Sequence, residues 1–257
     1  MVKMIFSDFD NTMLNYYSDK NYFDDYQISV LKKLSGEGIK FSIVTGRSVT
    51  FFNRFPNLLE VIDYIIGSNG ACIYDVKNKC YINQQIIGDN ELNKMIDYSM
   101  EHNYSFLLNC LDKRYQYGEW DNVDVLKYES GRKYKCEQMI LSFNKKNTDE
   151  IARYIEYLNN IIVNNVTDWG DEYSIDINLR GVSKGNSISW LCDDLGVEKS
   201  ETLGFGDGSN DISMFSSVGK SVAVGNASDG VKAQADDVSL SCKDGGIYKY
   251  IENNILK

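Results

Sequence analysis

The stretch Met4-Ile5-Phe6-Ser7-Asp8-Phe9-Asp10-Asn11-Thr12 begins as a short apolar run and ends in two carboxylates one residue apart. On an extended backbone side chains alternate between faces, so Asp8 and Asp10 would point the same way. Two like charges on one face cost free energy unless a cation or a proton sits between them. If the chain instead curls as it leaves the strand, the pair can offer one side chain and one carbonyl to a common ligand. Either geometry asks for a metal or for acid/base work.

Working outward, the first 75 residues alternate strand and helix. Strands are expected at Met4–Phe6, Phe41–Val44 and Tyr64–Ile66, with helical spacing of Ile28, Leu31 and Leu34 between the first two. The rhythm returns at 201–250, with strands at Thr202–Phe205 and Ser221–Val224 and helical stretches near 210–216 and 227–234. Such βαβ alternation implies a parallel sheet covered on both faces. The middle lacks that rhythm. It reads as a helix at Glu91–Glu101, strands at Ser105–Cys110, Lys113–Tyr117 and Gln138–Phe143, a helix at Thr148–Asn159, then strands at Ile161–Val166 and Tyr173–Leu179. The expected fold class is α/β: a doubly wound, Rossmann-like parallel-sheet core formed by 1–82 and 183–257, with an α+β domain inserted at 83–182.

Bulk properties narrow the chemistry. A chain of 257 residues with 43% hydrophobic and 25% charged content is long enough for a substantial core. Its net charge of −10 argues against a general affinity for nucleic acid or anionic membrane. No apolar run approaches the ~18 residues of a membrane span. One lysine and a short apolar run before Ser7 do not make a signal peptide, so a cytoplasmic protein is expected, as a monomer or weak homodimer. The six cysteines never reach CxxC spacing, and reduced thiols are expected, buried at all but Cys80. The single histidine, His102, closes a helical stretch and reads as a surface residue. A Ser-His-Asp triad or a histidine metal site is therefore excluded, and acid/base work falls to carboxylates, lysine, tyrosine or metal-bound water.

Four apolar segments lead into polar ends of one kind. They are Asp8/Asp10, Thr45-Gly46-Arg47, Gly181-Val-Ser-Lys184-Gly185 opening a helix, and Gly206-Asp207-Gly208-Ser209-Asn210-Asp211. Ligands of open α/β sheets bind at the carboxyl ends of strands, so these ends can converge. Asp8, Asp10, Asp207 and Asp211 then bring four negative charges together against one lysine. A hard divalent cation answers that excess, and with oxygen donors alone Mg²⁺ is the natural choice. The cation, Lys184, the Thr45 hydroxyl and the Gly46 amide make a receptor for phosphate.

DxDxT, a strand-end TGR, a GxSKG lysine and GDGxND, in that order, resemble the haloacid dehalogenase superfamily of phosphohydrolases. The insert between the second and third motifs resembles its Cof-like sugar-phosphatase and phosphomannomutase branch, as do Asn69-Gly70 and the AVGNA segment at 223–227. Asn11 stands where that branch usually has glycine, and asparagine tolerates the left-handed turn better than most residues. The resemblance implies a cap role for the insert and a role for each motif residue. Asp8 would be the nucleophile and Asp10 the acid/base. Asp8, the Asp10 carbonyl and Asp207 would hold Mg²⁺. Thr45, the Gly46 amide, Lys184 and Asn210 would bind the phosphoryl group, and Asp211 would orient Lys184 or a metal-bound water. The implied activity is phosphomonoester hydrolysis on a small phosphorylated metabolite, a sugar phosphate first, through an aspartyl-phosphate. A phosphomutase and a non-catalytic phosphometabolite sensor are the alternatives.

Blander readings compete at single positions. Asp211 can cap the helix that follows it, and Arg47 can touch substrate or pair with a nearby carboxylate. Lys113, Arg114, Tyr115, Tyr117 and Arg180 read mostly as decoration of strands, with reach toward a leaving group as the competing role. Gly225–Lys232 nearly imitates a P-loop, but its lysine is displaced and no Ser/Thr follows it.

Overall fold

The structure is a computed structural model that describes residues 1–14, 23–118 and 125–256. Two compact units emerge, one formed by Met1–Ile82 with Ser183–Lys257, the other by Asn83–Val182. In chain order the first unit begins with β1 (Met4–Ser7), α1 (Asp25–Gly36), β2 (Lys40–Val44), α2 (Pro56–Leu59), β3 (Tyr64–Gly67) and β4 (Cys72–Asp75), and the boundary falls within β5 (Cys80–Gln84). The second holds α3 (Asp89–Glu101), β6 (Ser105–Cys110), β7 (Arg114–Tyr117), β8 (Val125–Lys127), β9 (Cys136–Asn144), α4 (Thr148–Tyr157), β10 (Ile161–Asp168) and β11 (Glu172–Leu179). The chain then returns to the first with α5 (Lys184–Leu195), β12 (Thr202–Gly206), α6 (Ile212–Ser217), β13 (Lys220–Ala223), α7 (Asp229–Lys232), β14 (Asp237–Val238) and α8 (Gly246–Asn254).

The first unit's sheet runs β14-β13-β12-β1-β2-β3-β4-β5. From β14 to β3 neighbouring strands pair in parallel. β1 lies at the centre, where the chain passes to β2 on one side and β12 on the other. That reversal of strand order is the switch point at which open α/β sheets bind ligands. All four residues of β1 are buried, as expected of a strand covered on both faces. Met4 and Phe6 pack with Val44, Ile66, Ile188, Leu191 and Met214 on one side of the sheet. The sheet departs from the all-parallel expectation at one edge, where β4 turns back antiparallel on β3. A short 3₁₀ turn at Ser68–Gly70 reverses the chain there, leaving no room for a crossover helix.

The inserted unit is a six-stranded sheet, β10-β11-β9-β6-β7-β8. It is antiparallel except for the β7–β8 pair. Leu92, Met95 and Ile96 of α3 and Ile151 of α4 share its core with alternate strand residues such as Phe106, Leu108, Met139, Leu141, Ile175 and Ile177. Tyr115 is fully buried in that core and Tyr117 packs against it, so these two are packing residues and not decoration. Among the described residues no helix is long and apolar enough to cross a membrane. The cysteines are all unpaired, with Cys80 exposed and the rest buried.

Candidate active site

The Asp8–Asp10 pair resolves into the curled alternative. β1 ends at Ser7, and Asp8 N–H still bonds Phe205 O at 2.8 Å, holding it to the end of β12. Phe9 then turns into an aromatic cluster with Phe23, Phe51, Phe52 and Phe55, its ring 4.9 Å from that of Phe52. Asn11 takes a left-handed φ of 57°, and its N–H closes the turn on Leu14 O at 2.9 Å. The two carboxylates therefore part company. Asp8 is buried at 6% exposure, whereas the Asp10 side chain keeps about a third of its surface, 31%.

Asp10 is held by Arg47, whose Nη2 lies 2.8 Å and Nε 3.1 Å from its carboxylate oxygens. The pairing reading of Arg47 is thus the one the structure shows. The guanidinium also stacks on Phe51, 4.3 Å from the ring centroid, which holds the fork in place. Its backbone N–H donates to Thr45 Oγ1 at 3.1 Å, so the fully buried Thr45 hydroxyl shapes the turn after β2. Gly46 sits between the two, at the end of the strand beside β1.

Lys184, 2% exposed, is the first residue of α5. The hydroxyl of the preceding Ser183 accepts from Asn186 N–H and caps the helix. Gly185 lets α5 approach α6 closely, since a Cβ there would stand 2.3 Å from Ser213 O. This seating delivers the ammonium to Asp8 Oδ1 and Asp211 Oδ1, each at 2.6 Å. Burial pulls the Lys184 pKa down, but the Asp211 and Asp8 charges outweigh it and leave it raised. Burial raises Asp8 most; Lys184 pulls back, and Asp211, Asp207 and Asp10 add to the rise.

Asp211 spends its second oxygen on its own loop. Oδ2 accepts from Asp207 N–H at 3.0 Å and Gly208 N–H at 2.9 Å. It therefore caps the short 3₁₀ turn at Ser209–Asp211 by reaching backward, and α6 gains no side-chain cap from it. Gly206 is required here, because a Cβ on it would lie 2.5 Å from the Asp211 carboxyl carbon. With one oxygen on Lys184 and the other on two amides, Asp211 fastens the site more than it ligates. Asp207 instead faces Thr12, whose Oγ1 donates to its Oδ1 at 3.1 Å. Burial, then the neighbouring Asp211 charge, pushes Asp207 up to about 6. Asn210 lies over Gly208, whose added Cβ would meet Asn210 Oδ1 at 2.6 Å.

Asp8, Asp207 and Asp211 each offer an oxygen within 4.8 Å of the others. Arg47 cancels Asp10 and Lys184 cancels one more charge, so two carboxylate charges remain uncompensated. The all-oxygen donors and that excess fit a hard divalent cation. Burial is the main cause of the raised Asp8 and Asp207, and the neighbouring carboxylates add to it.

Two further contributors had no role that the sequence assigned. Thr12, inside DxDxT, had no role beyond the motif, yet it ties the β1 turn to the β12 turn. Ser68, Asn69 and Gly70 all take positive φ, at 49°, 59° and 107°. They bind the Thr45 turn through Asn69 N–H to Thr45 O and Ser68 N–H to Arg47 O, both 2.9 Å. Ser187 of α5 donates to Gly70 O at 2.6 Å, linking that turn to the helix that carries Lys184. Backbone strain of this kind persists only where surroundings enforce it and gathers at working sites. Of the other candidates, Arg114 Nε bonds Asn109 Oδ1 within the inserted sheet, and Arg180 Nε bonds Asn159 O.

The sequence profile of the haloacid dehalogenase-like hydrolases matches residues 5–251. The chain is 25% identical over 256 residues to a 5-amino-6-(5-phospho-D-ribitylamino)uracil phosphatase of Bacillus subtilis, covering 99% of this chain and 96% of that protein. It is 25% identical over 231 residues to a phosphoglycolate phosphatase of Methanobrevibacter smithii, covering 89% of each. Among solved structures, a phosphatase of the haloalkanoate superfamily from Bacteroides thetaiotaomicron superposes with a TM-score of 0.81 at 25% identity, covering 98% of this chain and 95% of that one.

Proposed function

This chain belongs to the haloacid dehalogenase-like hydrolase family, as a phosphatase, and we propose that it hydrolyses the phosphomonoester of a small metabolite, a sugar phosphate first, through a phosphorylated Asp8. The observation that carries this reading is Lys184, buried between Asp8 and Asp211 at 2.6 Å from each. A lysine so placed pulls against the burial that raises Asp8, favouring the charged nucleophile, and adds positive charge where phosphoryl oxygens would gather. Asp8 and Asp207, with the Asp10 carbonyl, would hold Mg²⁺. When bound, the ion would neutralise charge on the transferring group and orient it for in-line attack.

The remaining steps fall to the chain's own residues. Asp8 attacks phosphorus, and the leaving alcohol takes a proton from Asp10. Water then attacks the aspartyl-phosphate as Asp10 takes the proton back, releasing inorganic phosphate and free Asp8. Arg47 holds Asp10 by both carboxylate oxygens, so Asp10 must yield one of these bonds to the leaving group. Thr45, the Gly46 amide and Asn210 would join Lys184 as phosphoryl contacts. The substrate class is supported by the small phosphorylated molecules in the relatives' names.

The test is turnover of an aryl phosphate with Mg²⁺ and with chelator, followed by a panel of sugar phosphates, phosphoglycolate and phosphoribitylamino-uracil. Mg²⁺-dependent turnover is expected, with the sugar phosphates as the better substrates. Metal-independent hydrolysis, or a metabolite panel that is uniformly inert, would refute it.

A further inference from the structure

The AVGNA segment, residues 223–227, has no chemical role in the mechanism above, yet it is a junction between the site's loops. Val224 N–H donates to Gly206 O at 3.1 Å, immediately before Asp207. Gly225 N–H donates to Leu240 O at 3.1 Å, and a Cβ on Gly225 would stand 2.7 Å from the Ser241 nitrogen. The segment therefore lies flush against residues 239–242, with glycine needed for the close approach. Asn226 uses its whole amide. Its Oδ1 accepts from Cys242 N–H at 2.8 Å and from Ser241 Oγ at 3.2 Å, and its Nδ2 donates to Asn11 O at 2.9 Å.

That last bond reaches the carbonyl between Asp10 and Thr12. Asn11 is in the left-handed region, and its own Oδ1 is buried without a partner. A non-glycine residue in this conformation stays there only when its surroundings hold it. Asn226 supplies that hold from the far side of β12, and Thr12 to Asp207 is the second tie. Asn226 is itself exposed, so its removal takes little packing with it.

We infer that Asn226 is a positioning residue: by clamping the Asn11 carbonyl to the end of β13, it fixes the Asp8–Asp10 turn against the Asp207 turn. The inference rests on the reading of those aspartates as the Mg²⁺ and phosphoryl-transfer site. It acts through the aspartates and needs no contact with substrate.

The experiment compares Asn226→Ala with Ser241→Ala, which loses a bond on the anchor side and keeps the clamp on Asn11. Mg²⁺ binding to the substrate-free protein is measured by calorimetry, thermal melting by circular dichroism, and kcat and KM on an aryl phosphate. Groups that orient metal ligands typically carry about 10–100-fold in metal affinity or activity. Asn226→Ala is expected to weaken Mg²⁺ binding and lower kcat by about tenfold each, the low end of that range, with KM held within about twofold. Ser241→Ala is expected to stay near wild type in both. Should Asn226→Ala fail to fold, Asn226→Gln, which displaces the amide by one methylene, is read in the same way. Wild-type Mg²⁺ affinity and kcat in a folded Asn226 variant, or equal losses in Ser241→Ala, would overturn the inference. A wild-type protein that neither binds Mg²⁺ nor turns over would instead overturn the site reading beneath it.

Discussion

At the scale of single residues, Lys184 and Asn11 place opposite demands on the chain. Lys184 is a buried cation bonded to two buried carboxylates, and removing one partner of such a cluster typically costs about 3–5 kcal/mol. Lys184→Met, which keeps the bulk and deletes the charge, is expected to lower the unfolding free energy by that order, read as a lower urea midpoint at unchanged slope, with added Mg²⁺ restoring part of it. An unchanged midpoint would mean the cluster is not buried as described. Asn11 is a strained position that glycine fills without penalty. Asn11→Gly is expected to change stability by less than about 1 kcal/mol, whereas Asn11→Val costs about 1–3 kcal/mol by chemical denaturation. The gathering of Asp8, Lys184, Asp207 and Asp211 was legible in the sequence, because like charges at converging strand ends need a partner. Pairing was one of two readings of Arg47, but its partner Asp10 was hidden, since 37 residues separate them and only the β1–β2 pairing brings them together. Asn226 and Asn11, 215 residues apart, were hidden for the same reason.

At the scale of elements, the site depends on how closely α5 can approach α6. A Cβ on Gly185 would collide with Ser213 O, and α5 would have to withdraw, carrying Lys184 with it. Gly185→Ala is expected to cost about 1–3 kcal/mol, as overpacking does. It is also expected to depress kcat more than KM, read from steady-state kinetics beside a denaturant melt. Strands and helices with clear periodicity, such as α1, α3, β1 and β12, were readable because burial on one or both faces leaves its period in the sequence. β14 spans two residues and β8 three, too short to carry any period. α8 does carry a signal, with Ile247, Tyr248 and Ile251 buried, but its glycine start hides where the helix begins. β4 was missed because its pairing depends on the left-handed Ser68–Gly70 turn, which composition alone does not announce.

At the scale of the whole molecule, a net charge of −10 is carried by a fold that gathers uncompensated carboxylates at the ends of β1 and β12. Asp207 is pushed up to about 6 from an ordinary 3.8, so between those two pH values the metal-free fold keeps a proton that the unfolded chain has already released. Its contribution to metal-free stability is therefore greatest on the acid side and is lost as pH rises through about 6. A divalent cation must displace that proton, so the Mg²⁺-induced rise in melting temperature is expected to be larger at pH 7.5 than at pH 5. Differential scanning calorimetry at the two pH values, with and without Mg²⁺, checks the sign. Whether Asp8 carries the phosphoryl group is read by acid-quenched labelling. Asp10→Asn protein is mixed with an activated aryl phosphate and Mg²⁺, quenched within a turnover and mapped by peptide mass. The expected result is a phosphorylated peptide containing Asp8, absent in Asp8→Asn; turnover by the wild type with no phosphorylated protein at any time, or full activity in Asp8→Asn, would contradict it.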